Sequence, residues 1–322
     1  EAQEEKDPLI PEIDTSVEIQ AGSRVAVVSK STSGEFWGLV KKGMEQAIAD
    51  VNEAYGFKKE DQVTMTFEGA SDEKDVESQV NTIDAVIAEN PDVLCVSASD
   101  MDSLQAQLEA AKENGIPVVA FDSGVTDSKM VRAFRGTDNT RVGEIAAYRL
   151  ATAIGKMGKV AVFSAQEKTQ SIQERVSGFT NYITNYPDIE VVEIVYQDQV
   201  DDMTAAMQEV LDKYPQLDGV FCDNADIADL YLDMKRDETK DSIVMVGVDA
   251  TAKQQEAIRN GKEVGVVSQQ PYAMGYQTIW TALLTTAPKK SVEIKRNVRI
   301  DPAWIDSSNI DDPTYSSYLY AN

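Results

Sequence analysis

The chain has 322 residues and a formal net charge of −25, with 55 acidic against 30 basic side chains and no histidine. This length exceeds what one ordinary hydrophobic core requires and favours two domains. The negative charge disfavours DNA, RNA and anionic membrane surfaces as partners, because lysine and arginine bind all three. The lack of histidine removes the commonest general base and metal ligand, which disfavours an enzyme.

The first 23 residues are acidic, carry two prolines and show no sustained hydrophobic period. Such a composition predicts a flexible acidic linker over 1–23. The start lacks the basic and apolar regions of a signal peptide, so we expect a mature or trimmed form. No apolar run is long enough to span a membrane.

Strands and helices alternate from Arg24 onward, in two successive series. The first series comprises strand 24–29, helix 35–55, strand 63–67, helix 75–89, strand 92–96, helix 103–114 and strand 117–121. The second comprises helix 139–155, strand 159–163, helix 171–185, strand 190–196, helix 202–214, strand 219–222, helix 225–236, strand 243–248, helix 251–260 and strand 264–268. Two such series predict an α/β protein with two doubly wound parallel-sheet domains.

Two cysteines, Cys95 and Cys222, each lie within a short apolar run. This setting predicts a small buried residue in each of two strands. Two isolated cysteines are too few for a disulfide framework or a zinc site. The chain also lacks a Walker A sequence, a Gly-x-Gly-x-x-Gly motif and a calcium-binding loop, so we expect neither a cofactor nor a metal.

Polar residues follow almost every predicted strand, where ligands bind in open α/β sheets. They include many neutral donors and acceptors but few cations, which suits a neutral, polyhydroxylated ligand. For any one of them, capping of the following helix is the alternative. Arg175, after Gln173 on a predicted helix, could form a structural ion pair or contact ligand.

The adjacent aromatic residues Phe36 and Trp37 begin the first predicted helix. We expect that they cannot both face one core, and an aromatic face with a polar rim can stack on a sugar ring. The alternative is that Phe36 packs inward while Trp37 lies on the surface.

Seven short motifs occur in the order typical of a known family. They are 27–37 (VVSKSTSGEFW), 115–122 (GIPVVAFD), 136–139 (GTDN), 173–179 (QERVSGF), 218–224 (DGVFCDN), 246–249 (VGVD) and 268–271 (SQQP). Through them, residues 24–310 resemble the ribose- and galactose-type solute-binding proteins of bacterial ABC transporters, which share their fold with LacI-type repressor cores.

The resemblance implies that Phe36 and Trp37 sandwich a sugar. It also implies hydroxyl-binding roles for polar residues of both domains, and Lys30 falls near the family's first-strand polar contact. The full candidate set for ligand binding is Lys30, Glu35, Phe36, Trp37, Asp122, Asn139, Gln173, Asn224, Asp249 and Gln269.

Two positions depart from the ribose-type pattern. Ser123 stands where an arginine usually follows the first-domain aspartate, and Gln173 stands where a second arginine is usual. With two cationic donors lost, and Lys30 and Glu35 gained, we expect a pentose or hexose other than ribose, or an amino- or deoxy-sugar.

The resemblance further implies the type I periplasmic binding protein architecture, with a three-strand hinge. The N-terminal domain would comprise 24–136 and 270–299, and the C-terminal domain 137–269 and 300–322. The expected function is capture of a monosaccharide by hinge closure for an ABC permease, by a monomer with no nucleic-acid partner. The expected location is extracytoplasmic, in the periplasm or as a surface lipoprotein of a Gram-positive bacterium.

Three other functions are alternatives, and the sequence does not separate the first of them from transport. A sensor of a sugar, nucleoside or autoinducer, feeding a two-component or chemotaxis system, would use the same closed form. A repressor core would require a helix-turn-helix segment before residue 24, where an acidic segment stands. A carboxylate-dependent isomerase would have to work without histidine.

Overall fold

The computed structural model describes residues 6–288 and 290–321. Within these residues the chain forms two compact units. Unit 1 extends to Gly136 and includes Pro271–Ile300, whereas unit 2 consists of Thr137–Gln270 and the chain from Asp301 onward. The chain therefore passes between the units at three points. Each unit contains a mostly parallel sheet with associated helices, which confirms the predicted α/β class.

The secondary structure elements alternate as the sequence pattern predicts. The strands are β1 Arg24–Val28, β2 Thr64–Glu68, β3 Val93–Val96, β4 Val118–Phe121, β5 Ala133–Thr137, β6 Gly158–Ser164, β7 Ile189–Tyr196, β8 Gly219–Cys222, β9 Val244–Val248, β10 Gly265–Ser268, β11 Asn297–Ile300 and β12 Ala303–Asp306. The helices are α1 Glu35–Tyr55, α2 Val76–Ala88, α3 Gln105–Glu113, α4 Asn139–Ala153, α5 Gln170–Ile183, α6 Met203–Lys213, α7 Ala225–Asp233, α8 Ala252–Arg259 and α9 Pro271–Leu284.

The sheet of unit 1 has the strand order β11-β5-β4-β3-β1-β2, with β1 to β5 parallel. Apart from the exposed Arg24, its central strands β1, β3 and β4 are apolar and buried, as expected where both faces of a parallel sheet are covered. Cys95 lies buried in β3 and carries a free thiol, as predicted. Strand β5 was not predicted, because its Ala-Phe-Arg-Gly-Thr sequence interrupts the apolar run with arginine and glycine.

The sheet of unit 2 has the order β12-β10-β9-β8-β6-β7. All strand pairs are parallel except β10 with β12, which is antiparallel. The core of this unit includes Phe179 and Phe221, whose rings stack with centroids 4.8 Å apart. Cys222 is buried in β8 with a free thiol, which confirms the second cysteine prediction.

Each unit contains one helix pair in backbone contact through glycine. In unit 1, a Cβ atom at Gly43 of α1 would lie 2.0 Å from the carbonyl oxygen of Tyr272 on α9. In unit 2, a Cβ atom at Gly143 of α4 would lie 2.1 Å from the carbonyl oxygen of Arg175 on α5. Only glycine permits such an approach, so these positions lock the register of each helix pair.

The prediction of a flexible acidic linker over 1–23 is wrong for residues 6–23, the part of it that the structure describes. Val17 and Ile19 are only 9% and 6% exposed. The Tyr55 hydroxyl donates a 2.6 Å hydrogen bond to the carbonyl oxygen of Val17, and the Gln20 amide donates to Thr286 Oγ1 at 2.9 Å. The segment is therefore part of unit 1. Residues 1–5 lie outside the described residues.

Unit 2 also buries an uncompensated acid at Glu263, which is 1% exposed. Neither carboxyl oxygen has a hydrogen-bond partner among the described residues. Burial, and secondarily the charge of Asp229, raise the pKa of Glu263 well above its ordinary value. The folded state thus retains a proton that the unfolded chain releases near its ordinary pKa of 4.5.

Replacing this acid should stabilise the protein above pH 4.5, most strongly at high pH. A folded-state pKa raised by burial makes wild-type stability fall as pH rises, by up to about 1.4 kcal/mol per pH unit between the two pKa values. Glu263→Gln removes this dependence, and urea unfolding followed by circular dichroism from pH 5 to 8 measures it. Glu256→Gln, at an exposed position of α8, is the control. Equal pH profiles for wild type and Glu263→Gln would contradict the prediction.

Candidate functional site

The carboxyl ends of the parallel strands carry one strained aspartate in each unit. Asp122 directly follows β4 with φ 60°, and Asp249 directly follows β9 with φ 75°. Left-handed backbone is uncommon outside glycine, although aspartate tolerates it better than most residues, and such positions cluster at ligand sites. Each aspartate amide also donates a 2.9 Å hydrogen bond to a carbonyl oxygen of the neighbouring strand. The acceptor is Arg135 for Asp122 and Val267 for Asp249. The two positions are structurally equivalent.

In unit 1, Asp122 is neutralised by Lys30, which follows β1. The Lys30 ammonium lies 3.0 Å from Asp122 Oδ2 and donates a 3.0 Å hydrogen bond to Ser123 Oγ. Ser97 and Ser123 also donate to Asp122 Oδ2, at 2.7 and 3.2 Å. Lys30 and Asp122 are only 5% and 3% exposed. A pair this deeply buried requires its additional hydrogen bonds to offset the cost of desolvation.

The two predicted aromatic residues, Phe36 and Trp37, begin α1 beside this pair. Their rings meet edge to face with centroids 4.9 Å apart, and Trp37 meets Phe121 similarly at 6.4 Å. Both are largely buried, at 9% and 3% exposure. The expectation that the two rings cannot both face one core is therefore wrong, because each ring packs on the other. The alternative, in which Trp37 lies on the surface, is wrong as well.

In unit 2, Asp249 is held by hydrogen bonds instead of a lysine. Its Oδ1 accepts from Gln269 Nε2 and from the Tyr320 hydroxyl, both at 2.7 Å, and its Oδ2 accepts from the Ala225 amide at 2.9 Å. Gln269 Oε1 in turn accepts from Thr137 Oγ1 at 2.7 Å. Asp249 and Gln269, both sequence candidates, thus belong to one buried network.

The start of α4 contributes Asn139, which is 1% exposed. Its Oδ1 accepts a 3.0 Å hydrogen bond from Nε of Arg175 on α5, and Arg175 Nη1 donates to the carbonyl oxygen of Asp223 at 2.9 Å. Burial raises the pKa of the Asp223 carboxyl to about 6, although hydrogen bonds from Ser164 and Ala165 favour its charged form. Arg175 therefore joins the predicted residue Asn139 to the end of β8.

Two further amide side chains follow strands of unit 2. Asn224 caps α7 by accepting a 2.9 Å hydrogen bond from the Ile227 amide, and it is 8% exposed. Gln166, after β6, is 5% exposed, and its amide nitrogen has no hydrogen-bond partner in the described part of the chain. A buried donor without a protein partner is one that a ligand can satisfy.

Gln173 does not join these residues, because its side chain is exposed on α5. Arg175 lies two positions further along the helix and so faces a different direction, into the protein. Gln173 was interpreted as the loss of a cationic donor, but Arg175 provides a buried guanidinium two residues further along. Glu35 is half-buried in the first turn of α1. Glu73 was missed altogether, although its Oε1 accepts a 2.8 Å hydrogen bond from the Trp37 indole.

No cluster of acidic, cysteine or histidine side chains in residues 6–288 and 290–321 is arranged to hold a metal ion. Over the same residues, no helix has the length and apolar character needed to cross a membrane.

Comparison with known families identifies the fold. Residues 25–287 match the periplasmic binding protein domain. The chain belongs to this periplasmic binding protein family. The ribose import binding protein of Bacillus subtilis is 27% identical over 203 residues, which are 63% of this chain. The match spans 66% of that relative, just under two thirds of its length.

Two solved structures are similar over nearly the whole chain. An ABC transporter solute-binding protein from Agrobacterium vitis, with bound D-fucose, is 28% identical with a TM-score of 0.83 and covers 92% of this chain and 100% of its own. A second from the same organism, bound with alpha-D-tagatopyranose, is 27% identical with a TM-score of 0.83 and covers 93% and 100%.

The buried pair in unit 1 makes a prediction about stability. Lys30→Met should destabilise the protein by about 3 kcal/mol, because it leaves Asp122 buried and charged without its cation. Adding Asp122→Asn should recover most of this loss. Chemical denaturation of the four proteins of this double-mutant cycle measures the coupling.

Lys253→Met is the matched control, because Lys253 pairs with Asp233 at an exposed position where both side chains are at least 43% accessible. The control should lose less than about 1 kcal/mol. Similar losses at Lys30 and Lys253 would contradict the assignment of a buried, coupled pair.

Proposed function

We propose that the protein is the extracytoplasmic solute-binding component of an ABC transporter, and that it captures a neutral monosaccharide by hinge closure. The observation that carries the proposal is the equivalent placement of Asp122 and Asp249. Each is a buried carboxylate with left-handed backbone at the carboxyl end of a strand. Carboxylates and amides fixed in this way accept and donate hydrogen bonds as sugar hydroxyls require.

The charges of the candidate residues in unit 1 and in unit 2 favour a neutral ligand. Lys30 is already matched by Asp122, and Arg175 lies between Asn139 and the Asp223 carbonyl. A sugar acid or sugar phosphate would add a negative charge beside two cations that are already engaged within the protein. Neutral hydroxyls, in contrast, can accept from the buried amide nitrogen of Gln166, which has no hydrogen-bond partner in the described part of the chain.

Similarity to known proteins supports the sugar class but not one sugar. The relatives described above bind or import ribose, D-fucose and tagatose by their descriptions. In this chain, Ser123 still departs from the ribose-type pattern, and Lys30 supplies a cation to Asp122 from another strand. Gln173 no longer speaks against ribose, because its side chain is exposed and Arg175 is the buried cation of this helix. A pentose, hexose or deoxy-sugar other than ribose remains the proposed ligand.

The proposed roles follow from these positions. Phe36 and Trp37 supply aromatic surface for the ring, and the polar residues Lys30, Glu35, Asp122, Asn139, Arg175, Asn224, Asp249 and Gln269 bind hydroxyls or hold those that do. The protein acts without chemistry on the sugar, as a monomer that delivers its ligand to a membrane permease. Its location would be the periplasm or, as a lipoprotein, the surface of a Gram-positive cell.

A sugar panel tests the proposal directly. Thermal unfolding with pentoses, hexoses, deoxy-sugars, sugar acids and nucleosides should show a rise of several degrees for one or two neutral monosaccharides, because a ligand that binds only the folded state stabilises it. A stronger response to sugar acids or nucleosides would overturn the proposed ligand class. A panel without any response would overturn sugar binding.

Asn224→Ser separates binding from folding. Serine caps a helix about as well as asparagine does and adds no buried charge, so stability should change little, but the two amide donors are lost. Affinity for the responding sugar should fall by about tenfold or more, measured by calorimetric titration. Asn260→Ser, at the exposed end of α8, is the control. Unchanged affinity in Asn224→Ser would remove this residue from the site.

A further inference from the structure

The loop between β2 and α2, residues 69–75, lies against the loop that leads into α1. The Thr32 amide donates a 3.0 Å hydrogen bond to the carbonyl of Ala70, and the Ser31 hydroxyl donates to the carbonyl of Ser71. At Gly69 the approach is so close that a Cβ atom would lie 2.6 Å from Ser29 Oγ. The two loops therefore form one packed structure beside the first turn of α1.

The 69–75 loop is also fixed internally on both sides of Glu73. The Lys74 amide donates a 2.9 Å hydrogen bond to the Asp72 carboxylate, which closes a tight turn. Asp75 caps α2 by accepting a 3.0 Å hydrogen bond from the Ser78 amide. The backbone of Glu73 is thus held between a turn and a helix cap.

From this position Glu73 reaches the polar edge of Trp37. Its Oε1 accepts the indole N–H at 2.8 Å. Aromatic edges of Phe36 and Phe121 border the same indole, and the Lys30 ammonium lies over the ring, 5.8 Å from its centroid. These contacts are apolar or weakly directional, so the charged hydrogen bond to Glu73 is the contact that selects one rotation of the indole plane.

We propose that Glu73 is a positioning residue for sugar recognition, which fixes the orientation of the Trp37 indole without touching the ligand. The inference rests on the proposed function, in which Trp37 supplies aromatic surface to a sugar. Stacking depends on the angle and offset of the ring, so an indole free to rotate would lose affinity even with every hydroxyl contact in place. The 69–75 loop would thereby belong to the recognition machinery.

Affinity measurements on four variants test the proposal. Glu73→Ala should weaken binding of the panel sugar with the largest thermal shift by about tenfold. Glu73→Gln should retain most of the affinity, because an amide oxygen still accepts the indole N–H. In a Trp37→Phe background, which lacks the N–H, Glu73→Ala should have no further effect. An equal loss in both backgrounds would mean that Glu73 acts on the ligand directly and would overturn the proposal, as would full affinity in Glu73→Ala.

Unit 2 offers a matched control. The Trp304 indole N–H donates a hydrogen bond of the same length, 2.8 Å, to Asp306 Oδ2. Asp306→Ala therefore removes a tryptophan–carboxylate contact away from the proposed ligand residues, together with the two hydrogen bonds that Ser308 donates to Asp306 Oδ1. Its sugar affinity should equal that of the wild type. A similar loss of affinity in both alanine variants would indicate general destabilisation and overturn the positioning role.

A measurement without ligand separates this inference from the proposed function. The Trp37 indole N–H resonance can be assigned by its loss in Trp37→Phe. In Glu73→Ala it should shift and exchange with solvent faster, whereas Glu73→Gln should remain close to wild type. An unchanged resonance in Glu73→Ala would overturn the anchoring even if sugars bind. A panel with no responding sugar would instead overturn the proposed function, and with it the role in recognition, whatever the indole shows.

Discussion

A carboxylate removed from water must receive a cation or several hydrogen bonds, and this constraint organises both units. Asp122 and Asp249 occupy the same kind of position, just beyond a central strand with left-handed backbone, but they are compensated differently. Asp122 is held by the charge of Lys30, whereas Asp249 is held by two side chains and a backbone amide. Both solutions leave the carboxylate fixed, and fixed acceptors are the basis of selective hydroxyl recognition.

The helices that begin next to these acceptors are held with similar rigidity. α1 carries Trp37, and α4 starts at Asn139. Each helix lies in backbone contact with a neighbour at a glycine, Gly43 in α1 and Gly143 in α4. A shift of either helix along its neighbour would force main-chain atoms together. The aromatic and amide groups at the helix starts are therefore placed by packing about one to two turns away from them.

The alternation of apolar strands and amphipathic helices was enough to predict the α/β class, because both periods are local in sequence. The polar residues after strands, such as Asp122 and Asp249, were predictable for the same reason. Contacts between distant segments were not. Val17 and Ile19 are buried by contacts with the rest of unit 1, and the acidic composition of their segment did not predict this burial.

Side-chain direction was the second feature that could not be predicted from the sequence. Gln173 and Arg175 lie two residues apart on α5, and only the helix phase decides which of them faces the protein. Glu73 could not be assigned either, because its partner Trp37 belongs to another loop–helix junction. In both cases the sequence shows the residue types, but only the packing of the folded chain determines which groups they contact.

The hydrogen bond between Thr137 and Gln269 has a consequence for the connections between the units. Thr137 directly follows one of the three points at which the chain leaves a unit, and Gln269 immediately precedes the last residue before another. Gln269 also donates to Asp249. The ends of two connections and one of the proposed hydroxyl acceptors therefore belong to a single hydrogen-bonded chain. A hydroxyl that donated to Asp249 would compete with Gln269, the residue that links these two ends.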